Sequence, residues 1–199
     1  MRKWMGALCI FLGFVCILSA LGLVLYNRWE EKNAEETAHN IVENVHGIID
    51  ENKPDQPLPD DAEKEPAEML TVKVDGYDCI GILSIPALDL ELPVLTDWSY
   101  AKLKKAPCHY YGTYYGKNFV IAAHNYKSHF GRLSQLEPGD VVFFTDVNGE
   151  VYYYEVVLLE TLPEEATKEM ITSGFDLSLY TCTTGGSGRV TVRCNSKQD

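Results

Sequence analysis

One cysteine, one histidine and one arginine in this chain have the types and spacing for nucleophilic chemistry. Ser178-Leu179-Tyr180-Thr181-Cys182 is an apolar run that ends on a thiol, and the turn sequence Thr184-Gly185-Gly186-Ser187-Gly188 and the run Arg189-Val190-Thr191-Val192-Arg193 follow it. That order predicts a β-hairpin. With Gly185-Gly186 at the centre of the turn, Cys182 stands opposite Arg189 on one face of the sheet. A turn centred on Gly186-Ser187 leaves Arg189 a diagonal neighbour on that face, whereas a three-residue turn moves it to the other face. A thiol attacks as its thiolate, a form that a neighbouring cation and a base can supply.

Five histidines could provide the base. His39 and His46 precede the folded part, and His109 and His129 fall in expected loops. His124 differs, because it ends the buried-type run Phe119-Val120-Ile121-Ala122-Ala123 and would be delivered to the rim of a sheet. Taken singly, a strand-end histidine is a structural residue and a strand cysteine an inert buried thiol. Together with a facing arginine they point to covalent cysteine catalysis. Arg193 lies four residues beyond Arg189, about 13 Å along a strand, so it is expected to be a solvated strand end. Thr181 could contribute its hydroxyl or its backbone to the site.

The elements that must hold these groups are short β-type runs. Strands are expected at 79–85, 88–95, 119–124, 141–146, 151–159, 177–183 and 189–194, separated by Pro86, Asn118, Pro138-Gly139-Asp140, Asn148-Gly149 and Gly185-Gly186. Helical pieces are few: 99–105, 130–136 and 164–171. The expected fold is mostly β, a closed antiparallel barrel of about eight strands, because open edges would be exposed.

Upstream, Arg2 and Lys3 precede an uncharged apolar run from Trp4 to Tyr26, longer than the roughly 20 residues that a spanning helix requires. Basic residues before the run and Glu30, Glu31, Glu35 and Glu36 after it put the N-terminus in the cytoplasm and the remainder outside. A cleaved signal peptide with Ser19-Ala20 near its cleavage site is the competing reading. Ile41, Val42, Val45, Ile48 and Ile49 give 27–50 a helical period. A stalk helix is the simplest reading, and docking on the β domain is the alternative. The acidic, Pro-rich stretch 50–67 reads as a linker. The chain thus divides into a cytoplasmic tip (1–3), a transmembrane anchor (4–26), a charged stalk and linker (27–70) and a catalytic domain (71–199).

A net charge of −12 and a pI near 4.8 exclude the clustered basic surface that nucleic acid needs. Of the six cysteines, Cys9 and Cys16 belong to the anchor, and Cys79, Cys108, Cys182 and Cys194 show no C-x-x-C spacing for zinc. In the hairpin register Cys194 is too far from Cys182 for a disulfide. A Cys79–Cys108 pair stays open.

The run Ser178–Cys182 with Arg189 downstream and Ala123-His124 upstream resembles the T-L-x-T-C, arginine and A-H or G-H pattern of the sortases, membrane-anchored cysteine transpeptidases of Gram-positive bacteria; Ser178 replaces the first threonine. Gly81-Ile82-Leu83-Ser84-Ile85-Pro86, Phe130-Gly131-Arg132-Leu133 and Leu136-Glu137-Pro138-Gly139-Asp140 extend the likeness over about residues 77–194. The resemblance implies that Cys182 attacks an LPXTG-like sorting motif in a secreted protein to form a thioester. His124 would serve as acid and then base, Arg189 would hold the substrate or the oxyanion, and a cell-wall precursor or pilin amine would accept the acyl group. A hydrolase that releases the same motif to water, or a non-enzymatic peptide-binding β module, are the alternatives. The short Cys182–Arg189 interval and the little room between Leu159 and Leu177 look like the compact class D or class A enzymes, and the absence of a D-P-[WFG] lid counts against the pilus-polymerising class C. Ala123-His124-Asn125-Tyr126 departs from the H-R of many class D members. No cofactor is implied, and Asp97, Glu164 and Glu165 read as a solvated acidic loop rather than a calcium site.

Overall fold

A computed structural model describes residues 2–52 and 69–197; most of the expected linker 50–67 lies outside them. Nine strands follow one long helix: β1 (Val72–Val74), β2 (Tyr77–Ile85), β3 (Leu90–Leu95), β4 (Cys108–Tyr111), β5 (Phe119–Ala122), β6 (Val141–Asp146), β7 (Val151–Pro163), β8 (Leu177–Cys182) and β9 (Gly188–Ser196). Their order is β1-β2-β3-β4-β5-β8-β9-β7-β6, and β2 also pairs with β6. Eight strands therefore close into a barrel, with β1 a flap on its edge. The closure is not wholly antiparallel: β3–β4 and β5–β8 run parallel. The expected strands are all present, and the short β1 and β4 add to them.

Closure depends on local backbone freedom at one glycine. Gly81 faces Asp146 where β2 meets β6, at φ +153°, and a Cβ there would collide with the Thr145 carbonyl. The Asn148-Gly149 hairpin joins β6 to β7 as its sequence predicts. Asp146 Oδ1 caps it, accepting from the backbone N–H of Asn148 and Glu150, both at 2.9 Å.

The helix α1 (Arg2–Asn52) runs unbroken from the apolar segment to the domain. Ala34, Ala38, Ile41, Val42, Val45 and Ile49 are buried, and their three- and four-residue spacing forms one stripe. The stripe packs on Val74, Cys79, Ile82, Leu95 and Cys108. Each buried Val or Ile contributes on the order of 1.5–3 kcal/mol, so the helix docks on the barrel instead of standing off as a stalk. Cys79 and Cys108 are free thiols beneath it. Both are opposite Leu95 from either side, which sets them two strand spacings apart, about 9–10 Å and beyond disulfide reach. Burial pushes both thiols up to about 12.

Candidate functional site

The hairpin has the register its turn residues predict. Cys182 pairs with Arg189 and Ser178 with Arg193, and Gly185 and Gly186 take positive φ at the centre of the turn. Alternation sends successive side chains to opposite faces. Cys182 is exposed, and Tyr180, two residues back, shares its face in an open cleft walled by Trp98, Tyr110, Ala122 and Arg189. Cys79, Cys108 and Cys194 are buried, so Cys182 is the one exposed thiol of the barrel among the described residues.

His124 is brought level with Cys182 by a strand pairing that no local pattern specifies. In the parallel β5–β8 ladder Phe119 pairs with Leu177 and Ala122 with Tyr180, and the Ala123 N–H donates to the Tyr180 carbonyl at 3.1 Å. Continuing that register sets His124 beside Cys182. The central strand β8 thus carries the cysteine, with the histidine that follows β5 on one side and the arginine of β9 on the other.

Thr181 faces the other way. It is buried and its hydroxyl donates to the Ala123 carbonyl at 2.9 Å, so the hydroxyl is not presented to a ligand. It clasps β8 to the residue before His124.

The His124 ring is held on two sides. The Asn125 backbone N–H donates to Nδ1 at 3.1 Å, which leaves the proton of a neutral ring on Nε2. Asn125 Oδ1 is 3.2 Å from the same nitrogen and can accept once the ring is protonated. Tyr126 stacks on the imidazole face. This tyrosine escaped the sequence reading; its only signal was its place two residues after the candidate base.

Arg189 is drawn back along its own hairpin. Its Nη1 donates to the Gly186 and Gly188 carbonyls at 3.0 and 3.1 Å, and Nη2 lies 3.5 Å from Glu164. Glu164 is therefore the arginine's counter-ion, and Asp97 pairs with Lys102 instead. No group of three or more His, Cys, Asp or Glu suited to a metal occurs among the described residues.

Arg193 corrects the expectation of a solvated strand end. It is 1% exposed, pairs with Glu160 at 2.8 Å, and donates to Ser178 Oγ at 2.9 Å and the Glu169 carbonyl at 3.0 Å. Its fork ties α3 (Thr167–Ile171) to β8 and β9. The remaining histidines lie away from the thiol. His109 bridges the Thr96 and Gly112 carbonyls from β4. His39 and His46 lie on α1 against Glu43 and Glu91. His129 is fully buried behind Tyr126.

Residues 83–197 match the family model of the sortase domain. The chain is similar to sortase A of Bacillus anthracis, 28% identical over 156 residues that cover 76% of this chain and 68% of that protein. Among solved structures it is similar to sortase C of Streptococcus pneumoniae, with 24% identity, a TM-score of 0.57 and coverage of 82% of this chain and 97% of that one. A sortase D5 transpeptidase of Clostridium perfringens gives 15% identity and a TM-score of 0.57, with 84% and 99% covered. These structural likenesses show a shared fold.

Proposed function

The chain belongs to the sortase family, whose members are cysteine transpeptidases, and from that membership we propose that it joins proteins bearing an LPXTG-like sorting motif to a cell-wall or pilin amine. The arrangement that supports this reading is Cys182 at the end of β8 between His124 and Arg189.

In the proposed cycle Cys182 Sγ attacks the carbonyl of the motif's scissile bond, and the C–N bond breaks as the thioester forms. The leaving amine takes a proton from His124, with Asn125 Oδ1 accepting from the imidazolium. An incoming amine then attacks the thioester, gives a proton to His124 and releases the thiolate. Arg189 must swing from its hairpin carbonyls to reach the developing oxyanion or the substrate backbone. Thr181 acts through Ala123 as a positioning residue. The substrates are secreted proteins with a C-terminal sorting signal. The helix α1 contains a segment long and apolar enough to cross a membrane, and we place the N-terminus in the cytoplasm, residues 4–26 in the bilayer and the domain from residue 71 outside the cell.

The test is intact-mass analysis of the purified protein with a panel of LPXTG-like peptides, with and without an amine acceptor. The expected result is an acyl adduct on Cys182 that the amine discharges and that Cys182→Ala lacks. No adduct with any peptide overturns the reading.

A further inference from the structure

The cleft beside Cys182 lies close to the end of the apolar segment of α1. The uncharged run Trp4–Tyr26 is about 34 Å long as a helix, against a hydrocarbon core of roughly 30 Å. Tyr26 and Trp29 close it, exposed at 54% and 63% with ring centroids 6.2 Å apart, as aromatic residues do at a membrane–water interface. Glu30 follows Tyr26 by about 6 Å of helix rise. It is bonded to Lys104 Nζ at 2.7 Å, and the Lys127 N–H donates to Glu31 at 2.7 Å. Two loops at the catalytic end of the barrel are thereby held at the height of the aromatic pair.

One of these loops carries side chains suited to that height. Trp98 is 43% exposed, just before Ser99, which caps the short helix α2 (Tyr100–Leu103), and Tyr100, the first residue of that helix, is 81% exposed. Lys102, Lys104 and Lys105 follow within the next few residues, in a chain whose net charge is −12. Exposed aromatic rings beside lysines form the pattern of an interfacial segment. The acidic neighbours do not oppose it at this level: Glu30 is paired with Lys104 and Asp97 with Lys102.

We propose that residues 98–105 form a membrane-docking surface, with Trp98 and Tyr100 entering the headgroup layer and Lys105, the lysine of this segment outside those two ion pairs, meeting a lipid phosphate, so that the mouth of the Cys182 cleft rests on the bilayer. The inference builds on α1 as a membrane anchor. Docking confines acyl transfer to substrates and acceptors held at the membrane surface.

The test uses the full chain in vesicles of phosphatidylglycerol and phosphatidylcholine containing lipids with a nitroxide quencher near the headgroup. The chain has three tryptophans, so Trp4→Phe with Trp29→Phe leaves only Trp98, and Trp4→Phe with Trp98→Phe leaves only Trp29. Both are expected to be quenched at least twofold. Tyr100→Asp and Lys105→Glu reduce the Trp98 quenching, and thermal melting of the barrel in detergent checks that each variant is folded. Quenching of Trp29 with none of Trp98 overturns the docking and leaves the anchor intact. Loss of both signals overturns the anchor and the docking with it. Trp98 protected only when a sorting-motif peptide is added makes the peptide the occupant and overturns the lipid assignment.

Discussion

The imidazole of His124 lies flat on the phenol ring of Tyr126, with centroids 4.3 Å apart and planes 4° from parallel. An offset aromatic pair contributes about 0.5–1.5 kcal/mol beyond its buried area, and here it also restricts rotation of the candidate general acid. Beyond Tyr126 stands α1: the Glu30 carboxylate is held below its ordinary range by Lys104, with the Tyr126 hydroxyl and His124 adding to the effect.

Replacing Tyr126 by Ala is therefore expected to lower kcat about tenfold with KM changed less than twofold, while Tyr126→Phe keeps most of the activity. Steady-state kinetics on a motif peptide separate the two variants. Equal losses would assign the effect to the hydroxyl and not to the stack.

Arg189 faces Cys182 but spends its donors on the hairpin carbonyls and Glu164. Arg189→Ala is expected to reduce kcat/KM by about 10²–10³, the usual cost of removing one oxyanion donor. Arg189→Lys recovers little of it, because a lysine lacks the planar fork. Unchanged barrel melting in both variants would locate the loss in the chemistry.

Arg193 makes the opposite prediction. Its buried fork satisfies Glu160, Ser178 and the α3 carbonyls, so Arg193→Met is expected to cost about 3 kcal/mol of stability. Urea unfolding measures the cost, and hydrogen exchange should rise first in α3. A midpoint unchanged from the parent protein would count against a structural role.

His129 is fully buried, and both ring nitrogens lack a hydrogen-bond partner. Burial first, and then the nearby His124, lower it to about 4. Between its ordinary value near 6.5 and that value, the unfolded chain binds the proton and the native one does not. The fold therefore loses stability as pH falls from about 6.5 to 4, by about 3 kcal/mol in total. His129→Phe should flatten this part of the stability–pH curve in denaturant titrations at several pH values, and an unchanged slope would rule out His129 as its source.

Some of this architecture was legible because its causes are local. Alternating apolar residues with Asn148-Gly149 and Gly185-Gly186 turns determine two hairpins, and a turn centre sets which residues face one another, so Cys182 and Arg189 could be paired from their spacing. The uncharged length from Trp4 to Tyr26 likewise identifies a possible membrane span. Tertiary structure alone decided the rest. The parallel pairing of β5 with β8 links segments 58 residues apart in register, and nothing within either strand encodes its distant partner, yet that pairing sets His124 beside the thiol. The apolar stripe on α1 was visible, but its docking depended on a complementary face assembled from β1, β2, β3 and β4. Arg193 is exposed or buried according to whether α3 folds over it, and Thr181 faces inward by the same alternation that turns Cys182 outward. Periodicity reports which face of an element is apolar; which other element covers that face is a property of the assembled barrel.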